Sequence, residues 1–255
     1  MAVLEGKTIA ITGAGRGLGR ALAAALTSDG ADVAILGRGR DALEQTATLA
    51  GKRCVAYPCD VGEDDQVEAT FAAIGARFGK IDALINNAAI IDFNRIVDID
   101  PPRLRAIVNA NFLGPMLAAR SATPWLRKAG QGDIINISSE SVRNPYAYMA
   151  AYAATKAGLE SFSRGLRYEL LHDGIRVSTL QIGNMADPDR TIDADPALMA
   201  KWMAENQGTL AQAPGASNFQ TVIQAIKSML LLPRDSSFEL VELRPHSSQR
   251  DNVLS

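Results

Sequence analysis

The stretch that decides the fold is Thr12-Gly13-Ala14-Gly15-Arg16-Gly17-Leu18-Gly19, which follows the apolar run Thr8–Thr12 and opens directly into a helical pattern. In that pattern Leu18, Leu22 and Leu26 recur every four residues, as on the buried face of a helix. Glycines let the backbone turn tightly beside a phosphate, and a helix N-terminus offers free N–H groups and a positive dipole. The stretch therefore predicts a dinucleotide phosphate site. An S-adenosylmethionine or FAD site on the same fold, or a tight turn alone, is the alternative.

Short apolar or β-branched runs alternate with helical patterns along the rest of the chain. The strand candidates are Thr8–Thr12, Asp32–Leu36, Cys54–Asp60, Ala83–Asn87, Asp133–Ser138, Arg176–Ile182 and Phe238–Leu243. The helix candidates are Leu18–Ser28, Arg40–Ala50, Asp64–Phe78, Pro102–Lys128, Ala150–Leu171 and Phe219–Leu231. This alternation predicts an α/β protein, a Rossmann-type doubly wound parallel sheet of about seven strands with helices on both faces and ligands at the carboxyl ends of the strands. We expect residues 1–255 to form a single domain.

One long stretch, Gly183 to Ser217, breaks this alternation. It contains three prolines and a single short helix candidate, Ala197–Asn206. A long interruption in a compact domain is more often functional than part of the core. We therefore expect residues 184–217 to form a substrate loop or lid. An apolar pocket wall and ordinary amphipathic packing explain four of its side chains about equally well: Met185, Leu198, Trp202 and Met203.

Composition excludes several classes of function. The 255 residues are 47% hydrophobic and 21% charged, with a formal net charge of -2. There is no basic surplus for nucleic acid or anionic membranes, and the longest apolar runs are too short to span a bilayer. No His, Cys and carboxylate cluster has ligand spacing, so we expect no metal. The two cysteines, Cys54 and Cys59, are typical of unpaired core or loop thiols and of a reducing, cytoplasmic location.

The residue after the second predicted strand bears on the choice of dinucleotide. Arg38 follows Gly37 there, and the first carboxylate appears only at Asp41. A carboxylate would accept hydrogen bonds from a ribose 2′-hydroxyl, whereas an arginine pairs with a 2′-phosphate through two parallel hydrogen bonds. Arg16 in the glycine turn is placed to converge on the same phosphate. A solvated surface role is the usual fate of an arginine, but this joint placement favours NADP (NADPH) over NAD.

Further motifs follow the glycine turn in order: Asp60-Val61, Asn86-Asn87-Ala88-Ala89, and Ser139 thirteen residues before Tyr152. Over roughly Lys7 to Gly183 the chain resembles the short-chain dehydrogenase/reductase family, with Ala89 replacing the usual glycine. The resemblance implies a catalytic tetrad of Asn111, Ser139, Tyr152 and Lys156. It also implies the following cofactor-binding residues: Gly13, Gly15, Arg16, Gly17, Leu18, Gly19, Arg38, Asp60, Val61, Asn87, Ala88, Lys156 and Gly183.

The spacing of Tyr152 and Lys156 makes chemical sense. Residues four apart share one helix face, so the ammonium can stand beside the phenol. A free tyrosine has a pKa of ~10, and a nearby cation lowers the pKa toward the operating range. The resemblance adds that Lys156 holds ribose hydroxyls, that Ser139 orients a substrate oxygen and that Asn111 holds a relay water. The expected enzyme interconverts a carbonyl and a secondary alcohol on a small or medium-sized molecule, with Tyr152 as general acid/base.

The chain departs from the family pattern after the sixth strand. Ile182 replaces the usual proline, Asp187 stands near the usual threonine, and no Asp-Gly-Gly follows Phe238–Leu243. Two alternatives therefore stay open: a catalytically weak dinucleotide-binding regulator, and an epimerase or dehydratase on the same scaffold. By resemblance only, we expect a homo-oligomer, either a dimer or a tetramer.

Overall fold

A single sheet organises the computed structural model, which describes residues 3–186, 196–207 and 215–246. Its parallel strands lie in the order β3-β2-β1-β4-β5-β6-β7. The strands are β1 (Thr8–Thr12), β2 (Asp32–Gly37), β3 (Cys54–Pro58), β4 (Ala83–Asn86), β5 (Gly132–Ser139), β6 (Ile175–Ile182) and β7 (Leu240–Leu243). The helices are α1 (Gly17–Ser28), α2 (Arg40–Ala50), α3 (Asp64–Phe78), α4 (Pro101–Val108), α5 (Gly114–Lys128), α6 (Ala150–Glu169), α7 (Pro196–Glu205) and α8 (Phe219–Leu231). The predicted α/β fold class is confirmed.

Two buried apolar layers hold the helices on opposite faces of the sheet. One layer joins α1, α2 and α8 to the strands and includes Leu22, Leu43 and Ile226. The other joins α3, α5 and α6 and includes Phe71 and Leu126. Because both faces are covered, the central strands are apolar throughout, and all five residues of β1 are buried.

The strand order reverses beside β1, and this reversal positions the site. β1 pairs with β2 on one side and with β4 on the other. The chain segments leaving β1 and β4 therefore turn to opposite faces of the sheet and leave a crevice between them. Ligands of open α/β sheets bind at such a switch point, outside the carboxyl ends of the strands.

The single helix predicted over Pro102–Lys128 is divided in the structure. A π-helical turn, Asn109–Leu113, separates α4 from α5. Pro115 has no N–H group and cannot donate the hydrogen bond that an α-helix directs to residue 111. The hydrophobic pattern did not reveal this turn, because one wider turn hardly changes the spacing of the apolar residues.

Three predicted strands are shorter than expected. β3 ends at Pro58 instead of Asp60, β4 ends at Asn86 instead of Asn87, and β7 begins at Leu240 instead of Phe238. Proline cannot donate to the ladder, which limits β3, and β7 is a largely exposed edge strand that pairs only with β6 within the described part of the chain.

Three expectations concern cysteines, metal ions and membrane spans. Cys54 and Cys59 are both buried and unpaired, and burial raises the pKa of Cys54 to about 12. Among the described residues, no group of three or more His, Cys, Asp and Glu side chains is placed to hold a metal ion. Nor does the described part of the chain contain a helix long and apolar enough to cross a membrane.

The contact between α3 and α5 yields a test of the fold. A Cβ atom on Gly75 would collide with the indole of Trp125, whereas a Cβ atom on Gly165 of α6 would meet nothing within 4 Å. We expect Gly75→Val to lower the free energy of unfolding by roughly 1–3 kcal/mol through overpacking. Gly165→Ala, the control, should raise it by about 0.5–1 kcal/mol because glycine is unfavourable inside a helix. Urea unfolding measures both, and equal effects would contradict the packing described here.

Candidate active site

A cleft of about 1380 Å³ opens at the carboxyl ends of the central strands. One end is lined by Arg38 and Asp60, and the other by Ser139, Tyr152 and Lys156. Single small-ligand pockets commonly measure about 300–1,000 Å³, so this cleft has room for a dinucleotide together with a second molecule.

The glycine turn forms the floor of this cleft. Gly13 has a φ of +69°, and a Cβ atom there would lie 2.6 Å from Cα of Ala88. Only glycine allows this close approach of the β1 turn to the loop after β4. α1 begins at Gly17, and Arg16, its extended N-cap residue, makes no side-chain cap hydrogen bond to the helix. The first N–H groups of α1 are therefore left for an anion in the cleft.

Thr12 joins the two loops that flank the switch point. Its hydroxyl oxygen accepts hydrogen bonds from the backbone N–H groups of Asn87 and Ala88, both at 3.0 Å. The Asn87 amide in turn donates to the carbonyl oxygens of Thr12 and Gly13, at 2.9 and 3.2 Å. Thr12 was not a predicted site residue, because a strand-end threonine does not reveal a partner 75 residues away.

The end of the cleft beside β2 and β3 holds Arg38 and Asp60. Arg38 directly follows β2 and is exposed. The Asp60 carboxylate accepts from the N–H of Gly62 at 3.0 Å, and the N–H of Asp60 donates to Oε1 of Gln66 at 2.9 Å. These local hydrogen bonds fix the loop after β3, so Asp60 faces the cleft in a defined conformation.

Tyr152 and Lys156 lie on one face of α6, as their spacing predicts. Both are buried, and Nζ of Lys156 is 5.9 Å from the centroid of the Tyr152 ring. Nζ donates a hydrogen bond of 2.7 Å to the carbonyl oxygen of Ile137 in β5. Burial lowers the pKa of Lys156 from 10.5 to about 8. The ammonium is thus anchored to the sheet and close to losing its proton in a neutral solution.

The two serines at the end of β5 have different surroundings. Ser138 is buried, and its hydroxyl donates to Oε1 of Glu160 at 2.6 Å. Ser139 is half-buried on the cleft wall, and its hydroxyl oxygen accepts from the N–H of Ser141 at 3.2 Å. The hydroxyl hydrogen of Ser139 is therefore available to a ligand, and the catalytic assignment of Ser139 stays a prediction.

Asn111 lies behind the cleft wall. It is completely buried in the π-helical turn, and its side-chain oxygen accepts from the N–H of Ile90 at 2.7 Å. Its amide nitrogen donates to the carbonyl oxygen of Ile90 at 2.9 Å and to Thr155 at 3.3 Å. Asn111 thus joins the loop after β4 to α6, and its catalytic assignment stays a prediction. Spacing alone did not indicate this linking position.

The structure brings the other predicted site residues together. The following all line the one cleft: Gly13, Gly15, Arg16, Gly17, Leu18, Gly19, Arg38, Asp60, Val61, Asn87, Ala88, Ser139, Tyr152, Lys156 and Gly183. Of the side chains considered for an apolar wall, Met185, Trp202 and Met203 line it and Leu198 does not. Asp187 lies outside the described residues.

Several wall residues have no signal in the sequence. Phe93, Tyr146 and Met149 line the cleft beside Tyr152, together with the carboxylate of Glu140. They come from the loops after β4 and β5, where no periodic pattern exists. Their position depends on the tertiary fold, so sequence reasoning missed them.

Comparison with known proteins identifies the family. A family model described as short chain dehydrogenase matches residues 7–195. The ketoacyl reductase HetN of Nostoc sp. is 34% identical over 196 residues, which are 76% of this chain and 68% of that protein. An uncharacterized oxidoreductase of Methylorubrum extorquens is 35% identical over 187 residues, covering 72% and 75%. The chain belongs to the short-chain dehydrogenase/reductase family and is an oxidoreductase.

Solved structures agree with this fold. A metagenomic short-chain oxidoreductase in complex with NADP superposes with a TM-score of 0.78 at 27% identity, over 95% of this chain and 99% of that one. The 3-ketoacyl-(acyl-carrier-protein) reductase from Brucella melitensis, complexed with NADH, gives a TM-score of 0.83 at 26% identity, over 96% and 99%. Both similarities extend beyond the region that the family model matches.

Burial of Lys156 predicts a pH-dependent stability. Its pKa is about 8 in the folded chain and 10.5 ordinarily, so between these values the unfolded chain binds more protons. Stability therefore rises with pH through this window, and the burial penalty is fully present below about pH 8. We expect the free energy of unfolding of the native chain, taken relative to that of Lys156→Met, to rise by roughly 3 kcal/mol as the pH increases from about 8 to 10.5.

Urea unfolding at steps of pH measures this difference. Lys52→Met is the control, because Lys52 is exposed and its removal should change stability by the same amount at every pH. A constant difference for Lys156→Met as well would show that burial does not perturb its ammonium.

Proposed function

We propose that this protein is an NADP(H)-dependent oxidoreductase that interconverts a carbonyl and a secondary alcohol. The observation that carries the proposal is one continuous cleft, which joins the glycine turn at the N-terminus of α1 to Tyr152 and Lys156 on α6. The glycine turn would bind the phosphates, and Tyr152 with Lys156 would transfer the proton. Both must therefore lie within reach of a single bound dinucleotide and its substrate.

The residues present fit a nicotinamide dinucleotide. The glycine cradle comes so close to the loop after β4 that a Cβ atom on Gly19 would lie 2.7 Å from Nδ2 of Asn87. The N–H groups at the start of α1 would hold the pyrophosphate, and Asp60 would face the adenine. Lys156 would hold ribose hydroxyls with the N–H bonds that it does not give to Ile137.

Each residue then has a defined task. The bound nicotinamide supplies or accepts a hydride. Tyr152 donates a proton to the substrate oxygen during reduction and takes it back during oxidation. The Lys156 charge favours the phenolate form of Tyr152, and the Ser139 hydroxyl orients the substrate oxygen. We further propose that this single domain has a substrate loop or lid over residues 184–217, of which α7 and residues 184–186 and 215–217 belong to the described part of the chain, whereas residues 187–195 and 208–214 lie outside it.

Tyr152→Phe tests the chemistry. The change removes the only acidic proton of this side chain and keeps the ring, so we expect kcat to fall by roughly 10²–10⁴-fold. NADPH should still bind, which the fluorescence of the bound nucleotide reports. Tyr168→Phe is the matched control, because Tyr168 lies on the same helix with 76% of its surface exposed and should keep full activity.

Two outcomes would contradict the assignment of Tyr152. Full turnover by Tyr152→Phe would remove its role as acid and base. Binding of NADPH by the native chain, with no change in absorbance for any ketone or alcohol in a broad panel, would favour the catalytically weak regulator.

The choice of NADP rests on the two arginines of the cleft. Arg38 directly follows β2 and Arg16 directly precedes α1. Both line the cleft, whereas the first carboxylate of α2, Asp41, does not. A doubly charged 2′-phosphate gains charge-assisted hydrogen bonds from a guanidinium placed there. The solved relatives include both an NADP and an NADH complex, so the preference is argued from these side chains.

Arg38→Asp tests this preference. The carboxylate would repel a 2′-phosphate and accept from a ribose 2′-hydroxyl, so the ratio of kcat/KM for NADPH over NADH should fall on the order of 100-fold. Arg40→Asp makes the same charge change two residues away, on a side chain that pairs with Glu44 and does not line the cleft. Equal shifts in both variants would show that Arg38 does not contact the phosphate.

A further inference from the structure

The half of the cleft beyond Tyr152 has an aromatic wall. The rings of Phe93 and Trp202 meet edge to face, with centroids 5.0 Å apart and planes at 71°. The centroid of the Tyr146 ring lies 6.1 Å from the centroid of the Trp202 ring. Met149 and Met199 pack against this group. We call the three rings, Phe93, Tyr146 and Trp202, the aromatic wall.

Two contacts fix the helix that brings Trp202 to the wall. The Tyr148 hydroxyl donates to Oε1 of Glu205 at 2.7 Å. The Asn206 side chain accepts from the N–H of Ala147 at 3.0 Å and donates to the carbonyl oxygen of Trp202 at 2.8 Å. Because α7 is held at its end by the loop that precedes Tyr152, Trp202 has a defined place beside the reaction centre.

One carboxylate, that of Glu140, faces this wall. Glu140 directly follows Ser139, and its Oε1 accepts from the Tyr146 hydroxyl at 3.4 Å. A Cβ atom on Gly183 would lie 3.1 Å from Oε2, so glycine at this position leaves room for the carboxylate. Burial is the largest cause that raises the pKa of Tyr146, and the charge of Glu140 is the second. Tyr146 therefore remains a neutral donor and does not cancel the charge of Glu140.

The cations around Glu140 are engaged elsewhere. Arg143 pairs with Glu242 at 2.6 Å, and the Lys156 ammonium donates to the Ile137 carbonyl. Arg244 lies 3.0 Å from the side-chain amide of Asn144, and its charge also acts on Tyr146, whose pKa it lowers. Within the described residues, no cation forms an ion pair with Glu140 at 4.0 Å or less, and a half-buried carboxylate without a cationic partner attracts a positive ligand.

We infer that the substrate is a carbonyl compound, or the corresponding alcohol, that carries a cationic amine a few bonds from the reacting carbon. The ammonium would lie between the Glu140 carboxylate and the aromatic wall, while Ser139 and Tyr152 receive the oxygen. Aromatic faces and a carboxylate together favour an alkylated ammonium, because the rings attract its charge and also cover its methyl groups.

The inference rests on the proposed function for its chemistry. In the reduction, bound NADPH would supply a hydride and be oxidised to NADP⁺, with a C–H bond of the nicotinamide replaced by one on the carbonyl carbon. The carbonyl π electrons would move to oxygen, and Tyr152 would give its proton to that oxygen and be left as a phenolate. The ammonium forms and breaks no bond, and it acts only in binding. Its effect therefore shows in the recognition of charge, which can be measured separately from turnover.

A pair of isosteric ketones tests the inference. The phenacyl trimethylammonium ion and its neutral tert-butyl analogue differ only in nitrogen against carbon, so their shapes match. With NADPH, we expect Glu140→Gln to lower the ratio of kcat/KM for the charged over the neutral ketone by about tenfold. The intrinsic reactivity of the two ketones cancels in this comparison between variants. Glu63→Gln removes the same charge at the far end of the cleft and should leave the ratio unchanged.

Direct binding separates the inference from the proposed function. Calorimetry of the phenacyl trimethylammonium ion with the NADP⁺-loaded protein should show affinity about tenfold weaker in Glu140→Gln. Suppose that both ketones are reduced but that Glu140→Gln changes neither the ratio of kcat/KM for the two ketones nor the affinity for the charged one. The inference is then overturned, and the proposed function stands. If neither ketone is reduced by the native protein while Glu140-dependent binding is seen, the recognition of a cationic amine stands and the proposed carbonyl reduction fails. The inference would also be overturned if the native protein did not bind the phenacyl trimethylammonium ion, or if Glu140→Gln weakened only the binding of NADP⁺.

Discussion

The site depends on one hydroxyl at the point where the strand order reverses. Thr12 ends β1, and its oxygen accepts both N–H groups of the loop after β4. These two half-buried backbone donors would lose their partner if the loop moved away from β1, and a buried donor left without a partner costs up to about 1–3 kcal/mol. This fixed distance makes the glycine turn and the reaction centre parts of one cleft.

A second set of buried polar contacts sets the height of α6 above the sheet. One oxygen of Glu160 accepts from Ser138 of β5 and from Gln181 of β6, at 2.6 and 2.9 Å. Asn136 donates to Ser163 one turn farther along the helix, at 2.8 Å. Directional contacts of this kind specify a single placement more strongly than apolar packing does, since a displaced helix leaves polar groups unpaired. Tyr152 and Lys156 share that helix.

The sequence indicates those features that depend on local spacing. The glycine turn shows in eight consecutive residues, and the pairing of Tyr152 with Lys156 follows from the geometry of a single helix turn. The linking position of Asn111 does not follow, because its partner Ile90 lies 21 residues away in the loop after β4. The contact of Glu140 with Tyr146 does not follow either, because it depends on how the loop after β5 folds back. Sequence spacing thus predicts which elements form and which groups share one element, whereas contacts between loops require the tertiary structure.

The two ends of the cleft differ in the anion sites that they offer, and this asymmetry has a physical consequence. One end has the guanidinium groups of Arg16 and Arg38 and the N-terminus of α1 beside the carboxylates of Asp60 and Glu63, whereas the other end has Glu140 near the Lys156 ammonium. Phosphates are attracted to the guanidinium groups and the helix N-terminus, while Glu140 opposes their entry at the substrate end. The carboxylate therefore favours one orientation of the cofactor even before it contacts a substrate. A neutral, wholly apolar pocket would bind hydrophobic ketones as well, but it would lack this discrimination between the two ends.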